Sequence, residues 1–390
     1  MLSLLRRKKV RDALAGLALL IATAGLVAAP GEAIAGAKDG LALCFNVIVP
    51  SLFPFFVLSS LVVDLGLAAY LGRAMEGLMR PLFRVSGSCA AAVALGFIGG
   101  YPVGARTALQ LYEQGLCSKP EAERLLAFCN NSGPAFILGV VGAGIFGDSR
   151  VGFLLYLTHA LASLIVGLLF RFYGGSGRGR APKPRPKPIQ TVTLPAAFTG
   201  AVTRSLQSTL NICAFVVFFA VVLRLLTAYG ALAALAHLLS LAGFQAEWAK
   251  RLVAGLLELS SGVASLQGGA ELTGRVSMAA FMLGWAGLSV HCQVLSFLVD
   301  SGLSARVYLA GKLCHGLIAA VLTYALTLLF PLSAPVADYL VEQTESIAAL
   351  DFSTALAAST LAALAGWLFL AALCGSLLRK RCGNPPRKGV

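Results

Sequence analysis

"LLAFCNNSGPAFILGVVGAGIF", residues 125–146, is apolar at both ends and interrupted in the middle by Asn130, Asn131, Ser132, Gly133 and Pro134. A helix in hydrocarbon satisfies its own backbone, so polar groups left unpaired there are costly. Irregular backbone at membrane depth is tolerated where it is buried in protein or lines a watery cavity, and its freed N–H and C=O groups then face a ligand. Pro134 removes a donor and Gly133 permits an unusual dihedral, while Asn131 and Ser132 offer side-chain donors or a cap for the second half-helix. A half-helix N-terminus carries a partial positive charge of about half a unit, which favours a carboxylate or a phosphate.

The rest of the chain agrees that the solvent is lipid. Of its 390 residues 58% are hydrophobic and 12% charged, and the mean hydropathy is +0.82; this is an all-α polytopic membrane protein. The net charge of +14 therefore reports which loops face the cytoplasm. It does not point to nucleic acid, because no soluble segment interleaves aromatics with cations. The nine cysteines are scattered through apolar runs without CxxC or metal spacing, so they read as small buried hydrophobes. No metal, cofactor or catalytic centre is expected, and no Walker-type motif is present to suggest ATP drive.

Orientation follows from the charges. "MLSLLRRKKVRD" precedes an apolar run of roughly 17 residues, which fits a first spanning helix better than a cleaved signal and puts the N-terminus in the cytoplasm. Residues 1–40 are read as this helix and an outer loop. A second span at about 41–66 contains Pro50 and Pro54, which should kink it. Arg73, Arg80 and Arg84 then lie on an amphipathic stretch suited to the interface. "CAAAVALGFIGGYPVGARTALQLYEQG" is two half-segments, each too short to span, joined at Gly99, Gly100, Tyr101 and Pro102: a re-entrant hairpin. The interrupted stretch crosses next, and "VGFLLYLTHALASLIVGLLFRFY" returns. Residues 41–173 form one unit. The linker at 174–191 is rich in Gly, Pro, Lys and Arg, and no acidic residue occurs between Asp148 and Glu247, which fixes it in the cytoplasm.

Residues 192–332 repeat the order of parts: a span, an amphipathic stretch, a broken hairpin at "LVAGLLELSSGVASLQGG", a span with a polar, Gly-rich middle, and a return span. His159 and His315 fall at matching places. The first hairpin enters from the cytoplasm and the second from outside, so the two units form an inverted repeat. Residues 333–390 add an outer acidic loop (338–351), a last span (354–378) and a basic tail. The total is about eight transmembrane helices plus two re-entrant hairpins, with both termini cytoplasmic. Inverted repeats with discontinuous helices at matching places are how secondary transporters build a midplane site.

"SLFPFF", "GFIGGYPVGA", the 121–146 block and "LELSSG", spread over roughly residues 40–330, resemble the sporulation integral membrane proteins of the YlbJ/SpoVV type, which carry paired nucleoside-recognition (Gate) domains. The resemblance implies a secondary transporter that moves dipicolinic acid from the mother cell towards the forespore, across the outer forespore membrane. The Gate repeat is in turn similar to the core of concentrative nucleoside transporters. That similarity implies an elevator-like motion and, by analogy, a trimer; "GGYP" replaces the nucleoside transporters' own hairpin pattern. Nucleosides or another small metabolite are the alternative cargo, and a non-transporting scaffold for spore-envelope assembly is the alternative role.

The candidate site collects the polar residues of the breaks. Asn130, Asn131 and Ser132, with Gly133, are read as substrate contacts, the alternative being a hydrogen-bonded helix contact. Gly99, Gly100, Tyr101 and Pro102 form a tip that closes over the site, or simply a turn. Glu258, an acid at membrane depth, is a proton carrier, a cation ligand or the partner of Arg106, the hairpin cation assigned to charge compensation. Ser260 and Ser261 go with the second tip. Ser289, His291 and Gln293 match the "NNSGP" position in the second unit, His291 as a proton carrier or a neutral, satisfied side chain. His159 and His315 read as packing residues. Lys312, about 9 Å from its span's end by helical rise, reads equally as a snorkelling side chain or a substrate contact.

Overall fold

The computed structural model describes residues 8–65, 67–174, 194–268 and 271–330, and every regular element among them is helical. The expected outer loop at 338–351, the last span at 354–378, the tail and nearly all of the basic linker lie outside the described residues.

Helix α1 (Lys8–Ala28) is followed after Ala29 by α2 (Pro30–Leu43), which has Pro in its first turn, where a missing N–H costs nothing, and Glu32 beside it at the positive helix end. The two are bent by 96°. Residues 30–40, expected as an outer loop, are thus helical. They run through a π-helical segment, Cys44–Ile48, into α3 (Val49–Asp64). The kink expected from Pro50 takes the form of that π segment, since proline cannot donate to the preceding turn. Helix α4 (Leu67–Phe83) is the amphipathic stretch, and its segment Arg73–Phe83 meets Gly87–Gly99 at 92°. Glu76 of α4 pairs with Arg80 and accepts from the N–H of Gly87 at 2.6 Å, which anchors the chain as it turns.

A helical hairpin follows: α5 (Ala90–Gly99) and α6 (Val103–Glu113). Helix α7 (Lys119–Leu126) opens with a capping box between Ser118 and Glu121. Residues 130–133 form no regular secondary structure, and the chain resumes as a π-helical segment, Ala135–Ile145. The long α8 (Ser149–Phe170) then starts on an Asp148 cap. In the second half come α9 (Leu194–Ala228), α10 (Ala231–Leu241), α11 (Ala246–Leu257), α12 (Leu259–Ala264), α13 (Leu272–Trp285), α14 (Gly287–Leu298) and α15 (Ala305–Leu329). The same order of parts, an interrupted helix pair, a second interrupted pair and a long helix, therefore occurs on both sides of the linker.

Four stretches, Ser149–Phe170, Leu194–Ala228, Leu272–Leu298 and Ala305–Leu329, are long and apolar enough to cross a membrane, and the count reaches six if each bent pair is one span. The expected total of about eight is higher for physical reasons. The break at 130–133 leaves neither half of 119–145 long enough, the first two spans are joined and bent differently from the expectation, and one lies outside the described residues.

Small residues set the helix contacts, as expected where lipid supplies no hydrophobic drive between helices. Helix α2 lies on α9 at Gly36 and Gly40, where an added Cβ would come within 2.9 and 2.8 Å of the Cα atoms of Val221 and Val217. Arg224 of α9 pairs there with Glu32 at 2.8 Å. Helices α13 and α15 touch at Gly284 and Gly316, and α8 meets α15 through the Thr158 and Thr323 hydroxyls at 2.8 Å. One core cluster surrounds α5, α6 and α7, a second surrounds α8, α12 and α13, and Tyr101 packs against both.

The hairpin legs pinch the end of α7. A Cβ at either Gly96 or Gly104 would fall on the backbone carbonyl of Cys129, so these positions accept glycine alone. Gly96→Ala or Gly104→Ala is expected to destabilise the protein by about 1–3 kcal/mol through overpacking. Gly139→Ala, where a Cβ meets nothing within 4 Å, should leave the thermal midpoint in detergent unchanged.

Candidate functional site

The tip of the first hairpin sits on the break. Gly100 has φ +76°, the left-handed region that favours glycine, and a Cβ there would lie 2.9 Å from the Gly133 nitrogen. Backbone thus meets backbone, and no side chain separates Gly100 from Gly133. The Ala105 N–H donates to Asn130 Oδ1 at 3.4 Å. Asn131 Nδ2 donates to the Phe128 carbonyl at 3.1 Å, and Ser163 Oγ donates to the same oxygen at 2.7 Å. Asn131 therefore caps the end of α7 with one side-chain atom, and its Oδ1 is buried without a partner.

Lys312 is the centre of this arrangement, and the snorkelling alternative is overturned. Its side chain is 0% exposed. Nζ donates to the Tyr101 hydroxyl at 2.9 Å and to the Asn130 carbonyl at 2.9 Å, and lies 3.3 Å from His315 Nδ1. The Tyr101 hydroxyl donates in turn to the Leu283 carbonyl at 2.5 Å. His315 Nε2 lies 2.9 Å from the His159 carbonyl, an oxygen that can only accept, so Nε2 carries the hydrogen and Nδ1 is free to accept from Lys312. His159 Nε2 accepts the Ser132 N–H at 3.0 Å, and the two imidazoles lie 4.3 Å apart. The matching histidines are thus more than packing: His159 holds a freed donor of the break, and His315 joins it to Lys312.

The second half repeats the contact with different chemistry. Ala286, between α13 and α14, and Gly287, the first residue of α14, both have φ +79°, and a Cβ on Gly287 would lie 2.9 Å from the Leu259 nitrogen. Glu258, half-buried between α11 and α12, accepts the N–H groups of Ser260 at 3.0 Å and Ser261 at 2.7 Å. It is a helix cap. The alternative of an ion pair between Glu258 and Arg106 is not realised among the described residues, because the carboxylate is turned onto its own helix. Ser289, His291 and Gln293 are buried on α14. His291 Nδ1 is 3.1 Å from the Tyr308 hydroxyl, its ring stands edge-on to Trp285, and its Nε2 has no partner.

Arg106 points away from Lys312's cluster. Its guanidinium lies 5.9 Å from the Phe56 ring of α3 and 5.7 Å from the Phe297 ring of α14, and its Nε is buried without a partner. Farther along the same face of α6, Gln110 donates to Ser60 at 3.4 Å and Gln114 to Asp64 at 3.3 Å, and Asp64 pairs with Arg204 of α9. This polar seam separates the hairpin from α3 and α9. No group of three or more metal-ligating side chains occurs among the described residues.

These features define a class: an all-helical integral membrane protein in which a hairpin tip docks on an unwound helix. The nucleoside-recognition (Gate) family model matches residues 45–171. The sporulation integral membrane protein YlbJ of Bacillus subtilis is 30% identical over 334 residues, 80% of this chain and 82% of that one. The chain belongs to the family of YlbJ. An uncharacterised protein of Alkalihalophilus pseudofirmus is 29% identical over 126 residues, 31% of this chain and 27% of its own. Among solved structures, CNTnw in an inward-facing substrate-bound state is similar at 14% identity and a TM-score of 0.43, covering 83% of this chain and 89% of that one. CNTnw in an intermediate state is similar at 17% and 0.43, covering 85% and 89%. Likeness at that level carries neither residue roles nor states across.

Tyr101→Phe removes the hydroxyl that joins Lys312 to Leu283 and leaves one buried donor and one acceptor unmatched. It is expected to cost about 1–3 kcal/mol, read as a lower unfolding midpoint in detergent. Tyr156→Phe, a partly buried tyrosine of α8, serves as the control that leaves the midpoint in place.

Proposed function

We propose that the protein is a secondary transporter for a small anionic solute, working by alternating access around the hairpin tips and the broken helices. One observation carries this reading. Polar atoms of Arg106, Asn131, His159 and His291 are buried with no partner, and such atoms carry a desolvation cost that only a ligand or water can relieve. They lie at or beside the two breaks and in the seam of α6.

Arg106 between two phenyl rings suits a flat aromatic acid, with the guanidinium meeting a carboxylate and the rings meeting the solute's faces. Membership of the family of a sporulation protein makes dipicolinic acid the solute we assign, moved from the mother cell towards the forespore across the outer forespore membrane. The repeated order of parts supports an inverted repeat with an elevator-like carrier built from the hairpins and broken helices. The tip and break residues Gly99, Gly100, Tyr101, Pro102, Asn130, Asn131, Ser132 and Gly133 belong to that carrier in the first half, and Glu258, Ser260, Ser261, Ser289, His291 and Gln293 belong to it in the second. The basic linker supports cytoplasmic termini.

The test is uptake of labelled dipicolinate into proteoliposomes containing the full-length protein. Saturable uptake is expected. It should fall roughly tenfold in Arg106→Gln, the loss of one charge-assisted hydrogen bond, and disappear in the Asn131→Ala/Ser132→Ala double variant. A folded protein that shows no uptake under any ion gradient would overturn the reading in favour of a scaffold role or another cargo, and wild-type uptake by Arg106→Gln would remove Arg106 from the site.

A further inference from the structure

Lys312 poses a problem that the transport reading alone does not solve. It is fully buried, and no carboxylate pairs with it among the described residues. Counting donors shows what it is for. The Tyr101 hydroxyl spends its hydrogen on Leu283, the Asn130 carbonyl can only accept, and His315 Nδ1 accepts because Nε2 donates to His159. Three acceptors converge on Nζ, which matches the three N–H bonds of an ammonium and leaves a neutral amine one donor short. The Asn130 carbonyl also lies just past the end of α7, where the half-helix presents the negative end of its dipole. Freed carbonyls and half-helix C-terminal ends of this kind are where transporters with broken helices hold a coupling cation.

We infer that Lys312 is a tethered cation standing where a coupling metal ion would otherwise sit: its ammonium fills the cation site of the broken helix, so the protein takes up no sodium there. The occupancy of the site by Lys312 is independent of the transport reading. The further consequence, solute movement without sodium, rests on that reading.

The occupancy is tested by chemical rescue on the full-length protein in detergent. Lys312→Ala deletes the last three methylenes and the nitrogen, which propylammonium replaces atom for atom. The variant is expected to melt several degrees below wild type. Millimolar propylammonium should restore the midpoint saturably, while 1-propanol, of the same length and uncharged, should not. Wild type and Lys312→Met, in which the cavity is filled, should not respond. No response to propylammonium in Lys312→Ala would overturn the assignment. Should that variant prove too unstable to purify, Lys312→Met decides: it fills the space but leaves three acceptors without a donor, so it is expected to melt below wild type, and a midpoint at or above wild type would overturn the assignment.

The sodium consequence is read separately, as labelled dipicolinate uptake in sodium chloride against choline chloride. Equal rates are expected, and sodium-dependent uptake would overturn it. Absence of uptake in both media would count against the transport reading and leave the rescue result standing.

Discussion

A helix interrupted inside lipid has to find partners for every backbone group it frees, and the structure of this protein is organised around that requirement. At the break of residues 130–133 the freed groups are taken up one at a time. The Ser132 N–H goes to His159, the Asn130 carbonyl to Lys312, and the end of α7 to Asn131 and Ser163. The partners arrive from α8 and α15, which are held together by the histidine pair and by Thr158 and Thr323. The hairpin then packs its backbone onto the break, with Gly100 of the tip against Gly133 and Gly96 and Gly104 of the legs against the Cys129 carbonyl. Each of these features exists because the helix is broken.

The two halves solve the same problem with opposite charges. In the first, a cation meets carbonyl oxygen at the C-terminal end of a half-helix. In the second, the Glu258 carboxylate meets N–H groups at the N-terminal end of α12. Both placements agree with the helix dipole; Lys312 also joins the first tip to its break through Tyr101 and Asn130, whereas Glu258 caps its own helix.

Much of this was legible in the residues. Five consecutive helix-unfavourable or polar residues at 130–134 in apolar surroundings located the break, "GGYP" located the tip, and the recurrence of parts after the basic linker matched the order of elements. The partners were harder to read, because they are a matter of which helix face turns inward. Helical rise placed Lys312 near its span's end, but rise says nothing about rotation. The usable signal was Gly311, where an added side chain would strike Ala127, next to a lysine three residues before His315: that face of α15 had to be in close contact. Glu258 reads more than one way in the sequence: an acid at membrane depth suggests a proton carrier, a cation ligand or an Arg partner, and one followed by Leu-Ser-Ser at the start of a helix is also a cap, the contact the structure shows. The stretch expected as the first outer loop is helical because Pro30 and Glu32 are the residue types a helix N-terminus favours.

We propose that the hairpin, with Arg106 on its second leg, and the broken helix hold a small anion. Equilibrium binding of labelled dipicolinate to the purified protein in detergent tests it without requiring a transport cycle. Saturable binding that unlabelled dipicolinate displaces and uridine does not is the expected result. Absence of saturable binding by folded protein, or displacement by uridine as readily as by dipicolinate, would contradict it.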